Sequence, residues 1–276
     1  MGGQTGVTSL SAREAVAAKH AAEELARYAA DRIIAHRPSP EEISTKANAA
    51  DWVTAVDVEI ELHVRDELRR WFPDYGIVGE EFGAVGPNGG DERWWYCDPI
   101  DGTTNFVHGL AWSSFSLALA DQDGIALGVV CDPNRDELFS AVRGEGASLN
   151  GAPVQCSNTA GLVGGIALCE LEGVRIWDGM FEMMRLLEAR QCVTHLMGSS
   201  ALSLANFGAG RASAVVLGAA NPIDVAAGLI IARESGGLTR GAPAVDAVLS
   251  VDGSLKRGKL LAATPASFND IASILC

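Results

Sequence analysis

Apolar residues recur every four positions at Ala17, Ala21, Leu25, Ala29 and Ile33, which is one stripe of a long helix. Ser11 and Glu14 stand at its start with the spacing of a capping box, in which the hydroxyl accepts from a free backbone N–H and the carboxylate reaches back. Pro38 sets its latest end. A second stripe, Val56, Ile60, Val64 and Leu68, predicts a helix over 54–72, ended by Pro73. The polar stretch 43–50 between them reads as a loop or a hairpin.

The period then shortens. Two apolar runs, 76–78 and 94–97, read as buried strands, and each leads directly into acidic residues; 83–92 between them is a Gly- and acid-rich loop. From 112 to 153 short runs at 114–120, 125–131 and 137–142 alternate with turn signals such as Asp123-Gly124 and Asn150-Gly151, the pattern of an antiparallel meander. After Pro153, strands at 166–169, 192–196, 212–217 and 260–263 alternate with helices at 177–189, 199–207, 223–234 and 267–275, the third of these ended by Gly236-Gly237. Trp177, Phe181, Met183, Met184 and Leu187 form the packing face of the first. Alternation of this kind predicts a sheet covered by helices. The chain therefore divides into an α+β part, 1–150, and an α/β part, 151–276.

Composition supports a large packed core: 276 residues, 48% of them hydrophobic. The net charge of −14 argues against nucleic acid and against anionic membrane surfaces as partners, because phosphate backbones are held by Lys and Arg. No apolar run approaches the ~18 residues of a membrane span. The first six residues hold neither a basic nor an apolar segment, so a cytoplasmic protein is expected. No two of the six cysteines are three apart, which leaves scattered buried thiols rather than a metal or redox pair.

The acid is not evenly spread. Twelve acids and four bases lie between Asp57 and Asp101. Asp98 and Asp101 flank Pro99 and Ile100 at a strand end; Pro99 forces a turn, so both carboxylates can enter one cavity. Two buried like charges repel, and a hard divalent cation such as Mg2+ removes the repulsion through oxygen ligands while also holding a substrate phosphate. Gly102-Thr103-Thr104 follows at once, and glycine-led N–H groups at a helix start attract phosphate. Acids followed by such a turn suit metal-assisted phosphoryl transfer to water. Taken singly, Glu80 in Gly79-Glu80-Glu81, Asp224 at a helix start and the run from Asp51 to Asp57 are ordinary loop and cap residues.

Together and in this order, Gly79-Glu80-Glu81, the string Asp98-Pro-Ile-Asp-Gly-Thr-Thr-Asn-Phe106, the Asp-Val-Ala-Ala-Gly run at 224–228 and Asp51-Trp-Val-Thr-Ala-Val-Asp57 resemble the inositol monophosphatase family, over about residues 12 to 265. The resemblance implies a layered αβαβα sandwich of the inositol monophosphatase and fructose-1,6-bisphosphatase type, often dimeric, with two to three Mg2+ ions and lithium sensitivity. It implies Glu80, Asp98, the Ile100 carbonyl, Asp101 and Asp224 as metal ligands. It makes Thr103 and Asp57 the pair that works with Glu80 on a metal-activated water, and Gly102 and Thr103 the phosphate-holding N–H groups. Lys46 is a possible accessory to the metal site. Ser199 and Ser200 resemble the family's substrate-side helix start.

Two positions depart from the family pattern. Ile223 stands where members usually carry Trp, and Leu217 stands where members that favour inositol monophosphates carry an acid touching a substrate hydroxyl. A site built to bond a hydroxyl discriminates strongly, so Leu217 weakens the case for inositol phosphate itself. The expected activity is a Mg2+-dependent phosphomonoesterase acting on a small phosphorylated alcohol, such as an inositol monophosphate, histidinol phosphate or a sugar phosphate. A 3′-phosphoadenosine bisphosphate nucleotidase and a catalytically silent, metal-binding relative are the alternatives. His108, just after the metal loop, reads as a loop residue bonding backbone more readily than as a substrate contact.

Overall fold

The computed structural model describes residues 9–36, 39, 41, 43–45, 52–88, 92–158, 161–242 and 258–272. Helix α1 (Ala12–Ala35) begins at the expected capping box, with the Ser11 N–H donating to the Glu14 carboxylate at 2.9 Å. Its buried face is Ala15, Ala18, Ala21, Ala22, Leu25, Ala26, Ala29 and Ile33, so that four of the five expected stripe residues are buried and Ala17 is exposed. A strict four-residue spacing drifts around a helix of 3.6 residues per turn, so the stripe read from one end leaves the core at the other. Strands β1 (Ile43–Thr45) and β2 (Trp52–Thr54) pair antiparallel as a hairpin. Lys46 and Asp51, between them, lie outside the described residues. Helix α2 (Ala55–Trp71) buries all four residues of its expected stripe.

The first sheet is built from β3 (Gly76–Gly79), β4 (Gly83–Val85) and β5 (Trp94–Asp101). After the short helix α3 (Thr103–His108) it continues through the meander β6 (Ser114–Asp121), β7 (Gly124–Asp132), β8 (Glu137–Val142), β9 (Gly146–Leu149) and β10 (Ala152–Val154). The order across it is β10-β9-β8-β7-β6-β5-β3-β4, with β3 and β5 parallel and the other pairs antiparallel.

The second half runs β11 (Ile166–Glu170), α4 (Met180–Ala189), β12 (Val193–Leu196), α5 (Ser200–Gly208), β13 (Ala214–Ala220), α6 (Pro222–Glu234), β14 (Leu238–Ala242), β15 (Gly258–Ala263) and α7 (Phe268–Ala272). Its sheet has the order β12-β11-β13-β15-β14. Helix α4 starts three residues later than the periodicity predicts, because Gly179 at its N-cap is left-handed (φ +90°). Met180 is buried there, whereas Phe181 of the expected packing face is 55% exposed. Strand β14 was not expected, since its Leu-Thr-Arg-Gly-Ala run carries little strand signal and lies on the sheet edge.

Three apolar interiors define five layers. Alternate residues of the first sheet (Trp95, Cys97, Leu117, Leu119, Val129) pack on α1 and α2. The opposite residues (Tyr96, Ala118, Val130) pack on α5 and α6, which in turn meet Leu168, Val215 and Leu260 of the second sheet. The far face of that sheet (Cys169, Val216, Leu261) packs on α4 and α7. The result is an αβαβα sandwich. Helix α6 lies between the sheets and is apolar nearly all round, as a helix enclosed on all sides must be. Gly128 of β7 admits it closely: a Cβ there would stand 2.6 Å from Ala227 Cα. Among the described residues no helix is long and apolar enough to cross a membrane. The cysteines at 97, 131, 156, 169 and 192 are free and buried.

Candidate active site

The register between β5 and β6 shifts between Asp98, which opposes Ser116, and Asp101, which opposes Ser114. One extra residue is thus inserted on β5, at the point where Pro99 has no N–H to give the ladder. In an unbroken strand, residues three apart face opposite sides. The bulge removes that alternation and lets both carboxylates serve one cavity. Asp98 accepts from the Ile100 N–H at 3.0 Å, which tightens the turn. Just past the neighbouring parallel strand β3, the Glu80 N–H donates to the Cys97 carbonyl at 3.2 Å, so Glu80 is held beside Asp98.

Asp98 is 3% exposed. Burial holds its carboxyl well above the usual carboxylate range, and the charges of Glu80, Asp101 and Asp224 add to this. Glu80 also shares a hydrogen bond with it. Asp224 reaches the cluster from the first turn of α6, where the helix start at Pro222, capped by the Asn221 side chain, sets its direction. Three acids, Glu80, Asp101 and Asp224, therefore bear on the one buried carboxyl of Asp98. Burial likewise pushes Asp101 up, to about 6, against the opposing effect of three donors at the start of α5. Its Oδ2 accepts from Ser199 Oγ at 2.6 Å and from the Ala201 N–H at 2.7 Å.

Gly102, next along, is left-handed (φ +88°). A Cβ there would stand 2.9 Å from the Gly198 carbonyl, so only glycine lets this turn approach the start of α5. Thr103 Oγ1 donates to the Ile100 carbonyl at 2.9 Å. Asp57 is fully buried, and its Oδ2 accepts from Thr54, N–H at 2.8 Å and Oγ1 at 2.5 Å, completing the capping box of α2. Asn105 ties the loop down by donating to the carbonyls of Trp112 and Met197, both at 2.7 Å. His108 is exposed, and its ring stands edge-on to Trp52.

Two of the three residues expected on the substrate side are buried. Ser199 is 1% exposed with its hydroxyl turned onto Asp101. Leu217 is also 1% exposed and belongs to the interior between the two sheets. Ser200 is half-buried at the first position of α5.

Sequence reasoning passed over Glu61 and Arg65. Both are buried on α2, one position beyond the apolar stripe residues Ile60 and Val64. Glu61 accepts from Arg65 Nε at 2.7 Å, from the Glu81 N–H at 2.7 Å and from the Phe82 N–H at 3.1 Å, and Arg65 also donates to the Gly83 carbonyl. This pair holds the turn that carries Glu80. A Cβ on Gly79 would run into the Glu61 carboxylate, which is why the strand must end in glycine. The available signal was a Glu–Arg pair four apart beside an apolar stripe.

Glu80, Asp98, Asp101 and Asp224 present oxygen donors only, which suits Mg2+ rather than a soft metal. Their mutual repulsion in a buried setting is the physical requirement that such a cation meets. Among the described residues, no three His, Cys, Asp or Glu side chains stand as a set ready to hold a metal ion. The acids nonetheless act on one another electrostatically, with Asp98 at their centre.

An αβαβα sandwich with a buried carboxylate cluster on a bulged strand end defines a class of layered phosphatase folds. The chain belongs to the inositol monophosphatase family, whose model matches residues 12–263. It is 36% identical to the fructose-1,6-bisphosphatase/inositol-1-monophosphatase of Thermotoga maritima, over 78% of this chain and 80% of that protein. It is equally 36% identical to the Nus factor SuhB of Pasteurella multocida, over 83% and 84%. Among solved structures, the extragenic suppressor protein SuhB of Bartonella henselae superposes with a TM-score of 0.84 at 25% identity, over 94% of this chain and 98% of that one. A Thermotoga maritima IMPase gives 0.77 at 30% identity, over 91% and 94%.

Proposed function

We propose that this chain is a Mg2+-dependent phosphomonoesterase that hydrolyses a small phosphorylated alcohol. The observation that carries the reading is Asp98, a buried carboxyl surrounded by Glu80, Asp101 and Asp224 and followed at once by the Gly102 turn. Glu80, Asp98, the Ile100 carbonyl, Asp101 and Asp224 would hold two to three Mg2+ ions. When bound, the metal supplies Lewis acidity, which makes water a nucleophile near neutral pH and screens phosphate charge.

The protein's own groups do the rest. The Gly102 and Thr103 N–H groups hold and orient the phosphate, made accessible by the left-handed turn at Gly102. Thr103 Oγ1 would take the proton of the attacking water as its own proton passes to Asp57, with Glu80 orienting that water. For this, Thr103 Oγ1 must turn from the Ile100 carbonyl toward Asp57. Asp101 is fixed by α5 so that the metal ligands keep one geometry through the reaction.

The relative from Thermotoga maritima carries a sugar bisphosphatase and an inositol monophosphatase name together. That breadth, with Leu217 withdrawn into the core, favours a sugar or other small alcohol phosphate over strict inositol recognition. A second reading has its own support, because several relatives are named Nus factor SuhB: a partner-binding role that does not depend on turnover. A panel of histidinol phosphate, inositol phosphates, sugar phosphates and 3′-phosphoadenosine 5′-phosphate separates the two. The enzyme reading expects phosphate release with Mg2+ that EDTA abolishes; release from none of them favours the second.

A further inference from the structure

Leu217 leaves β13 without a carboxylate at the rim, but the adjacent strand supplies one at the same level. Glu170 on β11 is the parallel register partner of Leu217, so the two side chains leave the sheet on the same side, toward α5. Glu170 is 7% exposed and fully engaged. Its Oε2 accepts from the Gly198 N–H at 2.6 Å and its Oε1 from Ser203 Oγ at 2.9 Å, and the Ser199 backbone also bonds it. Asp101 takes Ser199 Oγ and the N–H groups of Ser200 and Ala201 from the same turn.

One helix start, 198–203, is therefore gripped by two carboxylates, Glu170 from the second sheet and Asp101 from the first. Both lie at the positive end of α5, which favours negative charge. Gly198 is left-handed (φ +83°), and the Met197 carbonyl before it is bonded by Asn105 from the metal loop, so this turn has little freedom except through its two acids. Anything that releases the turn on the Glu170 side moves the donors that orient Asp101.

We propose that Glu170 is a positioning residue, which sets Asp101 for metal binding by fixing the start of α5 without touching metal or substrate. The proposal rests on the reading of Asp101 as a ligand. It requires hydrogen bonding rather than charge: Gln at this position can accept from Gly198 and donate to Ser203 Oγ.

The test is direct Mn2+ binding, read as the loss of the free-ion electron paramagnetic resonance signal, on the full chain and on Glu170→Gln, Glu170→Ala and Ser203→Ala, each first shown to melt cooperatively. Second-sphere partners of this kind typically control metal affinity by about 10–100-fold, so E170A is expected to bind Mn2+ at least about tenfold more weakly, with S203A between it and wild type. E170Q, which keeps both the shape and the hydrogen-bonding capacity of Glu170, is expected to stay within about threefold of wild type, and S203A, which removes a hydrogen bond but little volume, separates hydrogen bonding from mere space filling. With the substrate that the panel identifies, the loss should appear in the Mg2+ requirement and in kcat, with substrate KM little changed. If E170A cannot be folded, the contrast between S203A and E170Q decides. Folded E170A or S203A with wild-type Mn2+ affinity would overturn the positioning role and leave the phosphatase reading standing. A wild-type chain that binds no Mn2+ would overturn both, while Mn2+ binding that weakens in E170A supports this inference whether or not any ester is hydrolysed.

Discussion

Asp98 is where burial and like charge conflict most sharply, and its substitution separates stability from function. Asp98→Asn removes the charge that Glu80, Asp101 and Asp224 oppose. The metal-free variant should melt higher than the metal-free wild type by at least ~2 °C. Mg2+, which should raise the melting temperature of the wild type, should raise that of D98N far less, and phosphate release should fall by ~100-fold or more. Calorimetry with and without Mg2+ checks the first two expectations, and a D98N that melts lower without metal would contradict them. Asp98, Asp101, Gly102 and Thr103 fall within six residues of the chain, so they stand out as candidates without knowledge of the fold. Ser199 was less legible for the opposite reason. Its role depends on which way a hydroxyl turns, and that is decided by Asp101, far away in the chain and brought close only by packing.

Helix α2 does more than fill one face of the first sheet. Its Glu61–Arg65 pair is buried and holds the Glu80 turn through two backbone N–H groups and a carbonyl. Glu61→Ala leaves the Arg65 guanidinium buried and unpaired, and should cost ~3–5 kcal/mol in urea unfolding. Removing both charges, as Glu61→Leu with Arg65→Met, should recover part of that stability without restoring metal affinity, since the turn would still lack its anchor. Equal metal affinity in the double variant and the wild type would show that the pair is structural only. Gly79→Ala should act like a mild form of E61A, because its methyl displaces the same carboxylate. At this scale the elements themselves were largely legible: the capping box of α1, the meander and the alternation after Pro153 follow from local pattern. The start of α4 and the buried face of α1 were less so, because one left-handed glycine and the 3.6-residue period each shift a boundary that spacing alone places elsewhere.

For the whole molecule, the buried acids make stability depend on pH and metal together. Asp101 is raised from 3.8 to about 6 and Glu170 from 4.5 to about 7, both chiefly by burial. A carboxyl whose folded pKa is raised favours the folded state below its unfolded pKa, and that contribution is lost as pH rises through the folded value. The metal-free chain should therefore lose stability between about pH 4.5 and pH 7. Glu14 works the other way, being lowered to about 2 by Ser11 and Arg93, but its contribution is lost only as pH falls from about 4.5 toward 2, outside that window. Thermal melts in EDTA across pH 5 to 7.5 should fall, and Mg2+ should reverse the fall at the upper end. The net charge of −14 is thus partly a property of the metal-free state, since up to three Mg2+ ions would offset up to six of those charges. Element order gave a sheet covered by helices, and the family resemblance implied the five layers, but the joining of the two sheets through α5 was not legible, because it depends on Glu170 and Asp101 meeting on one turn.

The central claim is that the carboxylates around Asp98 make a Mg2+-dependent phosphatase. Phosphate release from the ester panel, measured for the wild type with Mg2+, for the wild type with EDTA and for D98N with Mg2+, tests it most directly. Release from at least one small alcohol phosphate is expected in the first case, none in the second, and a rate lower by ~100-fold or more in the third. A chain that binds Mg2+ yet releases phosphate from no ester, or one whose activity survives EDTA and D98N, would contradict it.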